Sequence, residues 1–412
     1  MANIVNLSGS NIYFAGKVSK DENMSNNKKF LAVFLALFTM LTACSNQDKK
    51  PGNTSESGSY VERNIQDPSE MPVTNGEFVE SPSGEKLYKG QGTFFDAFDT
   101  VISVTYYCQD KESFEKLFKL THDEFLRLHK LYDNYNTYEG LVNVMTINNS
   151  AGKEGVKVDE DLFRLIQMSR GLYDKALGKV NIAMGSVLSL WHDAREFAEK
   201  NPEQAKSPDP EALKEAGKHM DINKLVLDEK NRTVKLEDPA MSLDLGAVAK
   251  GYATELIAQK LKEAGLKSGL ISAGGNVKLI GQNPMGRDWR VGVEDPSESQ
   301  GDPKVVVDLK ADMSLVTSGD YQRFFVVKGK KYHHIVDPVS LEPGGRSPSL
   351  TIETKDSGLA DFLSTALFLA DEEEEKKILQ NFKNMGETIE DIRVEYDGSY
   401  KASEGIKANI EN

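Results

Sequence analysis

The run GLADFLSTALF, residues 358–368, constrains this chain more than any other stretch. Its residues form an apolar helical run interrupted by Asp361, and Thr365 follows on the same helical face. A carboxylate that faces a core costs free energy unless it is paired. Asp361 therefore either caps a helix or meets a cation. With Thr365 it offers the oxygen ligands that Mg²⁺ or Ca²⁺ accepts.

The length and composition of the chain narrow the class of protein. With 412 residues, 39% of them hydrophobic, it can bury the core of one large domain or two ordinary ones. The net charge of -14 argues against a nucleic acid as the partner. The only cysteines, Cys44 and Cys108, exclude a disulfide framework and a CxxC metal site. Cys108 lies in the strand-like run TVISVTYYC and is predicted to be buried.

The segment 24–44, MSNNKKFLAVFLALFTMLTAC, predicts a secretion signal. Two lysines precede an apolar run at 30–41 that is short for a membrane span. The ending LTAC resembles a bacterial lipobox, in which the cysteine becomes the lipidated first residue; an ordinary signal peptide containing a cysteine is the alternative. We predict that residues 1–43 are an N-terminal extension and signal peptide, with Met24 as the true start. Cys44 would anchor the protein to the cell membrane, facing the extracytoplasmic side.

The boundaries of the folded part follow from composition. Residues 44–85 are polar and contain Gly, Ser and Pro with few apolar side chains, which predicts a flexible tether. Residues 86–405 are predicted to form the folded body, and residues 406–412 a C-terminal tail. The tether would hold the folded body away from the membrane.

The order of helical and strand patterns predicts an α+β fold, with mixed sheets and flanking helices in a single large body. Helices are predicted at 111–134, 159–177, 186–199, 247–265, 358–370 and 372–382. Strands are predicted at 92–108, within 223–245, and near 268–273, 289–294, 304–309, 322–328 and 331–336. Residues 200–212 are predicted to be a surface loop. Neither a GxGxxG motif nor a P-loop occurs, so the usual nucleotide motifs are uninformative.

The segment DLGAVAKG, residues 244–251, joins a predicted strand to a predicted helix. The free N–H groups of a helix N-terminus attract anions, and a lysine in the first turn opposes the helix dipole. Two interpretations are open. Asp244 is only an N-cap and Lys250 faces solvent, or the two residues contact a phosphate or a nucleotide.

Two further segments combine polar groups with unusual backbone. The paired glycines of SAGGN, residues 272–276, serve either a hairpin turn or the close approach of a ligand. The second is TSGDY, residues 317–321, followed by YHHIVDP, residues 332–338. Adjacent histidines on a strand face opposite ways, so at most one of these two points into a site. That histidine is either a base beside a carboxylate or a structural group in a turn.

Five segments, in this order, resemble the ApbE family of FAD:protein FMN transferases: SLDLGAVAKGYATE, SAGGN, TSGDYQR, YHHIVDP and ADFLSTAL. The resemblance extends from Phe98 to about residue 405. It implies a Mg²⁺-dependent enzyme that takes FAD as substrate and joins FMN through a phosphoester to a Thr or Ser of an acceptor protein, releasing AMP. The acceptor would be an exported or membrane-bound protein of a redox chain.

The resemblance also implies roles for single residues. Asp361, Thr365 and the main-chain carbonyl of Ala247 match the Mg²⁺ ligands, and His334 matches a histidine tied to catalysis. The matches to FAD-binding positions are Phe98, Tyr135, Lys179, Val180, Asn181, Asp244, Lys250 and Ile335. The chain departs from the commonest family pattern at Phe362, at Gly344-Gly345 and in the loop 179–181.

Two other functions compete with transfer. An FAD pyrophosphatase would use the same site with water as the acceptor. A non-enzymatic lipoprotein would store FAD or carry electrons. A solute-binding lipoprotein would need two similar lobes about a hinge, which the sequence does not indicate.

Overall fold

A computed structural model describes residues 72–297 and 302–407 and the backbone of residues 410 and 411. The predicted signal peptide, the proposed lipidation site Cys44 and residues 45–71 of the predicted tether lie outside the described residues. The described residues from Thr74 onward belong to one compact unit. Within the described ranges, no helix combines the length and the apolar character needed to cross a bilayer.

Helices and strands alternate in irregular groups along the described chain. The helices are α1 Lys111–Tyr132, α2 Val144–Asn148, α3 Glu160–Leu172, α4 Gly185–Lys200, α5 Pro210–Ala216, α6 Ala249–Glu263, α7 Ser357–Leu369, α8 Glu372–Asn384 and α9 Glu404–Lys407. The strands are β1 Val73–Glu80, β2 Lys86–Phe94, β3 Ile102–Cys108, β4 Val156–Lys157, β5 Leu225–Asp228, β6 Thr233–Leu236, β7 Gly269–Ala273, β8 Asn276–Ile280, β9 Trp289–Val293, β10 Val305–Leu309, β11 Ser314–Gly319, β12 Phe324–Val327, β13 Lys330–His333, β14 Ser349–Thr354, β15 Glu390–Val394, β16 Tyr400–Ala402 and β17 Ile410–Glu411.

A nine-stranded sheet is the centre of the fold. Its strand order is β1-β2-β3-β7-β8-β11-β14-β15-β16, and the pairings from β2 to β16 are antiparallel. Smaller sheets have the orders β17-β10-β9, β12-β13 and β4-β6-β5. Helices that flank several sheets confirm the predicted α+β class.

The central sheet is buried on both faces. Helices α1, α6 and α7 pack against one face. The sheet of β9, β10 and β17 covers the other face through a second core that includes Leu270 and Val291. This double burial explains why every residue of β7 and β8 is buried. Strands of that kind read as continuous apolar runs, without the alternation of a strand that has one wet face.

Helix α7 is enclosed almost completely. The carboxylate of Asp356 caps its start by accepting the Leu359 amide at 2.8 Å. Every residue from Ser357 to Leu369 is buried except Thr365. Asp361 therefore is not the cap of this helix, because it lies one turn inside it. The run GLADFLSTALF is therefore part of a core helix in which only Thr365 is partly open to solvent.

The folded body begins earlier than predicted. Strand β1 lies within the predicted tether 44–85 and extends the central sheet beside β2, so the predicted boundary at residue 86 is wrong. Most of its side chains are exposed, because β1 is an edge strand. An exposed edge strand has no hydrophobic alternation, which is why its sequence resembles a linker.

The predicted tail 406–412 is also part of the fold. Ile406 is completely buried in the second core, and β17 pairs with β10 in the register Val307↔Ile410. A single buried side chain in a charged segment gives no periodic pattern, so composition alone mistook it for a tail.

Two predicted elements were merged or missed. The strand predicted at 92–108 is two antiparallel strands, β2 and β3, separated by a loop at 95–101. The loop predicted at 200–212 contains a 3₁₀ turn at Pro202–Gln204, and α5 begins at its end. Proline suits the first helical position, since its missing N–H would be unsatisfied there. Cys108 is buried, as predicted.

A buried carboxyl group follows β9 and makes stability depend on pH. The Tyr321 hydroxyl donates to Oε2 of Glu294 at 3.1 Å, but Oε1 has no hydrogen-bond partner among the described residues. Burial raises the pKa of Glu294 to about 7. Because the folded-state pKa exceeds the unfolded one, the protein loses stability as pH rises from about 4.5 to about 7.

We expect Glu294→Gln to remove this loss. The variant should match the parent near pH 4 and exceed it at pH 8, by up to about 3 kcal/mol for a shift of this size. Urea unfolding at both pH values measures the difference. An advantage of equal size at pH 4 and pH 8 would contradict the assignment of the pH dependence to this carboxyl group.

Candidate functional site

Helices α6 and α7 touch at the residues the sequence singled out. The Gly251 amide, in the first turn of α6, donates to Oδ2 of Asp361 at 2.8 Å. A Cβ atom at position 251 would collide with the Ser357 carbonyl oxygen and with the Cβ of Asp361. Glycine is therefore required for this contact, which joins the DLGAVAKG segment to the core helix.

Three oxygen groups surround this contact. Because the Gly251 amide is directed to Asp361, no amide of the described residues donates to the Ala247 carbonyl oxygen. The hydroxyl of Thr365, one turn after Asp361, lies 3.4 Å from the Ser318 hydroxyl oxygen. The predicted metal ligands thus occupy two helix segments in direct contact.

The Asp361 carboxylate is buried without a cationic partner. It is 5% exposed, and no Lys, Arg or His nitrogen of the described residues lies within 4.0 Å of its oxygens. Burial raises its pKa, and the positive charge of Lys250 acts in the opposite direction. A buried carboxylate with one amide donor is under-compensated. The site is therefore electrostatically suited to a cation.

The residues present fit Mg²⁺. One carboxylate, one hydroxyl and one carbonyl are an oxygen-only donor set, and Mg²⁺ binds through few protein oxygens when a phosphate completes its shell. No group of three His, Cys, Asp or Glu side chains suited to a metal occurs in the described ranges. The site thus lacks the nitrogen and sulfur ligands that zinc prefers.

The SAGGN segment forms the hairpin turn between β7 and β8, and the approach of a ligand to its glycines stays a prediction. Gly274 and Gly275 connect β7 to β8 with φ of 54° and 93°, a backbone suited to glycine. The turn also brings Asn276, 1% exposed, next to Asp361. The Asn276 side-chain nitrogen is buried and has no hydrogen-bond partner among the described residues. The same side chain is close enough to Asp361 to lower the pKa of that carboxyl group.

Asp244 does not cap α6. The N-cap position belongs to Val248, which has no side chain able to cap, whereas Asp244 accepts the Gly246 amide at 2.8 Å. The Asn134 side-chain amide donates to its other oxygen at 3.2 Å. Burial raises the pKa of Asp244. The simple N-cap interpretation is therefore wrong, and the carboxylate lies half-buried in a turn beside the helix.

Lys250 lies in the first turn of α6, close to two predicted site residues. Its charge acts on both Asp361 and His334, which lie on different elements. The interpretation of Lys250 as only a solvent-facing residue is therefore not supported.

The two adjacent histidines face opposite ways, as predicted. The His333 ring packs edge-on against Phe368 of α7, with centroids 5.9 Å apart. His334 is exposed to the cleft, and its Nδ1 lies 3.3 Å from the Arg323 carbonyl oxygen. Desolvation by the neighbouring protein, followed by the charge of Arg323, lowers the pKa of His334 below its usual range. Its imidazole is therefore neutral at pH 7 and can accept a proton.

Phe98 lies in a strained turn that the Arg323 side chain contacts. Phe98 and Asp99 have φ of 56° and 48°, two successive non-glycine residues in the left-handed region. The Phe98 amide donates to Nδ1 of His129 at 3.2 Å, and the Arg323 guanidinium donates to the Asp99 carbonyl at 2.8 Å. The structure thus brings Phe98 close to the segment that carries His334.

Tyr135 forms an exposed aromatic surface in the cleft. Its ring is 49% exposed and lies over the His192 ring, with centroids 4.5 Å apart and a tilt of 30°. The negative charge of Asp244 acts on its phenol group, which places the two predicted FAD contacts near each other. An aromatic face of this kind can stack on a planar ligand.

The loop 179–181 is less open than its predicted role suggests. The Lys179 ammonium is buried between Glu374 and Asp337, at 2.8 and 3.4 Å. The Asn181 side chain donates to the Met220 carbonyl and accepts the Ala183 amide, and Val180 is part of the core. These side chains are satisfied within the protein, so their role as FAD contacts stays a prediction.

Ile335 is buried next to the catalytic candidate. It is 7% exposed, and its carbonyl accepts the Gly344 amide at 3.1 Å. Its predicted contact with FAD likewise stays a prediction.

Sequence reasoning missed three cationic or polar groups of the cleft. Arg323 stood within the TSGDYQR segment but received no role, although its position in that motif was a usable signal. His192 and Arg195 of α4 gave no signal, because charged residues on an amphipathic helix are common. The charge of Arg195 acts on Asp244, Tyr135 and His334, which only the folded chain brings together.

Comparison with known proteins agrees with this geometry. The ApbE family model matches residues 98–389. The FAD:protein FMN transferase of Treponema pallidum (strain Nichols) is 34% identical over 274 residues, which cover 63% of this chain and 72% of that protein. The enzyme of the same name from Klebsiella pneumoniae (strain 342) is 32% identical, covering 60% of this chain and 76% of that protein.

A solved structure extends the similarity to the fold. The crystal structure of the ApbE protein from Thermotoga maritima matches with a TM-score of 0.68 at 28% identity. The match covers 82% of this chain and 100% of that chain. The fold and the sequence segments therefore point to the same family.

Proposed function

The chain belongs to the ApbE family, and from this membership we propose that it is an FAD:protein FMN transferase. The acceptor is a Thr or Ser hydroxyl of another protein, which receives FMN through a phosphoester bond. The observation that carries the proposal is the contact between α6 and α7 at Gly251 and Asp361, beside the neutral His334. It gathers anion-binding, oxygen-donor and proton-accepting groups in one cleft.

Mg²⁺ is the metal of this proposal. The Asp361 carboxylate, the Thr365 hydroxyl and the Ala247 carbonyl would hold it, since they form an oxygen-only set with unused acceptor capacity. When bound, it would neutralise charge on a diphosphate and orient it. Lys250 adds a positive charge that acts on Asp361 and His334 from the first turn of α6.

The reaction is a displacement at phosphorus. The acceptor hydroxyl oxygen bonds to the phosphorus of the FMN half of FAD, and the bond from that phosphorus to the bridging oxygen breaks. AMP leaves with the bridging oxygen, and the hydroxyl proton must be removed. Such catalysis depends mainly on positioning and charge, which a cleft between rigid helices supplies.

His334 is proposed as the group that accepts the hydroxyl proton. With its own proton on Nδ1, toward the Arg323 carbonyl, the ring keeps Nε2 as the acceptor. We expect His334→Ala to lower the rate of transfer by at least about 100-fold while FAD binding changes little. Rapid-quench assays of FMN transfer and FAD titrations measure the two effects.

The matched control for this variant is His122→Ala, which removes an imidazole that contacts Asp96 outside the cleft. Because the pKa of His334 is lowered, the acid limb of the parent's pH–rate profile should lie below the usual range of a histidine. Near-normal transfer by His334→Ala would show that another group takes the proton.

The proposed place of action is the outer face of the cell membrane, through a lipid on Cys44. Acceptors there would be exported or membrane-bound redox proteins. The LTAC ending of the apolar run supports the anchor, and mass spectrometry of the mature N-terminus tests it.

The test of the function is a product analysis. The purified protein is incubated with FAD, Mg²⁺ and an acceptor domain that carries a candidate Thr, and AMP release and the acceptor's mass are followed. AMP together with a gain of one FMN on the acceptor supports transfer. AMP with free FMN and an unmodified acceptor favours the pyrophosphatase. Intact bound FAD without AMP favours the carrier.

A further inference from the structure

The Arg323 guanidinium forms no ion pair with the described residues, although the negative charges of Asp99 and Glu199 act on it from a greater distance. Its only hydrogen bond there goes to the neutral Asp99 carbonyl, at 2.8 Å. No carboxylate oxygen of the described residues lies within 4.0 Å of its nitrogens. An arginine has five N–H donors, so four remain available. A half-buried cation without an anion costs free energy, which a bound anion would offset.

A second arginine lies near enough for its charge to act on Arg323. Arg195 of α4 is 19% exposed, contacts Nδ1 of His192 at 3.1 Å and is 3.9 Å from the Glu199 carboxylate. Its charge acts on Arg323, Tyr135 and His334. Glu199 offsets part of the repulsion between the two like charges, and an anion bound beside them would offset more of it.

The surroundings define the ligand. His192 contacts Arg195, and the Tyr135 ring lies over the His192 ring. An exposed aromatic surface therefore lies close to Arg195. His334 contacts the Arg323 backbone, which places the arginines near the proposed proton acceptor. A ligand that joins a flat ring to a phosphate would satisfy both features.

We propose that Arg323, assisted by Arg195, forms the subsite that binds the phosphate of the FMN half of FAD. This inference rests on the proposed transferase function, because it identifies the phosphate as the one transferred. Arginine suits that role, since its planar fork can donate two hydrogen bonds to one phosphate. The subsite would bind the negatively charged phosphoryl group both in FAD and after its transfer to the acceptor.

A purely structural role for Arg323 predicts something different. Its bond to Asp99 would then only hold the strained turn at Phe98, and its loss would affect all flavins alike. The discriminating quantity is therefore the ratio of Kd for riboflavin to Kd for FMN, two ligands that differ only in the phosphate.

The experiment measures this ratio by flavin fluorescence titration of the full chain, with EDTA present to exclude divalent cations. For the parent we expect FMN to bind at least about 10-fold more tightly than riboflavin. Arg323→Gln should raise the Kd for FMN by about 10- to 100-fold and the Kd for riboflavin by less than about 3-fold. Arg323→Lys should restore part of the difference, because it keeps the charge but loses the fork.

Arg195→Gln should also lower the ratio of Kd for riboflavin to Kd for FMN, but by a smaller factor than Arg323→Gln. The matched control is Arg170→Gln, which removes a partly exposed arginine of α3 whose hydrogen bond is to Asn223. It should leave the ratio unchanged. Adenosine and AMP form a second pair, for which Arg323→Gln should have no selective effect.

Each outcome has a defined meaning. Equal weakening of FMN and riboflavin, or a parent ratio near one, overturns the subsite. A selective loss of AMP instead of FMN overturns its assignment to the transferred phosphate. A parent that binds no FAD at all, with or without Mg²⁺, contradicts the proposed function itself and so is distinct from both.

Discussion

Asp361→Asn is expected to lower FMN transfer by at least about 100-fold, the scale of losing one charged group at a reaction centre. Asparagine has the same shape and can still accept the Gly251 amide, so the contact between α6 and α7 should persist. What disappears is the negative charge beside the Thr365 hydroxyl and the Ala247 carbonyl. The concentration of Mg²⁺ needed for half-maximal FAD turnover should rise together with the loss of rate.

A second measurement separates this effect from misfolding. Burial raises the pKa of Asp361, so without metal its ionised form destabilises the fold at pH 7. The metal-free Asn variant should therefore be at least as stable as the parent in urea unfolding. Thr365→Ser, which keeps the hydroxyl, is the matched control and should retain most activity. Unchanged turnover of Asp361→Asn would refute the metal assignment.

Gly251→Ala is expected to damage both fold and function. The added Cβ collides with the Ser357 carbonyl oxygen and with the Cβ of Asp361, and neither atom is the end of a flexible side chain. Overpacking of this kind costs about 1–3 kcal/mol, and more where backbone must move. Because α6 and α7 would have to separate, the Asp361 carboxylate would leave the Ala247 carbonyl, and transfer should fall by at least about 100-fold.

The matched control is Gly171→Ala in α3. A Cβ there meets no atom within 4 Å, so the change should stabilise the protein by up to about 1 kcal/mol through helix propensity. Thermal unfolding of the two variants measures the contrast. If Gly251→Ala unfolds at the temperature of the parent, then the tight contact between the helices is not a constraint.

Sequence patterns predicted the elements that have strong periodicity. The helices at 111–134 and 358–370 were within two residues of α1 and α7, because a buried helical face repeats regularly. The edge strand β1 and the buried Ile406 were missed because neither lies in a segment with regular hydrophobic periodicity. One is exposed on most of its length, and the other is a single apolar residue in a polar segment.

The candidate site could be predicted only where its residues are contiguous. Asp361 and Thr365 share one helical face, which spacing reveals. The Ala247 carbonyl came from the family resemblance, since a main-chain oxygen has no sequence signature. Arg195 and Arg323 are 128 residues apart by their numbers and meet only in the folded chain. Long-range proximity of this kind cannot be read from local pattern.

The enclosure of α7 has a consequence for how the site moves. A helix buried everywhere except at Thr365 can expose Asp361 only by opening the core, so local unfolding of this segment approaches global unfolding in free energy. The oxygen donors are therefore held in place before any ligand arrives. Ligand binding then costs little conformational entropy at the oxygen donors, and any conformational change on binding is expected in the surrounding loops.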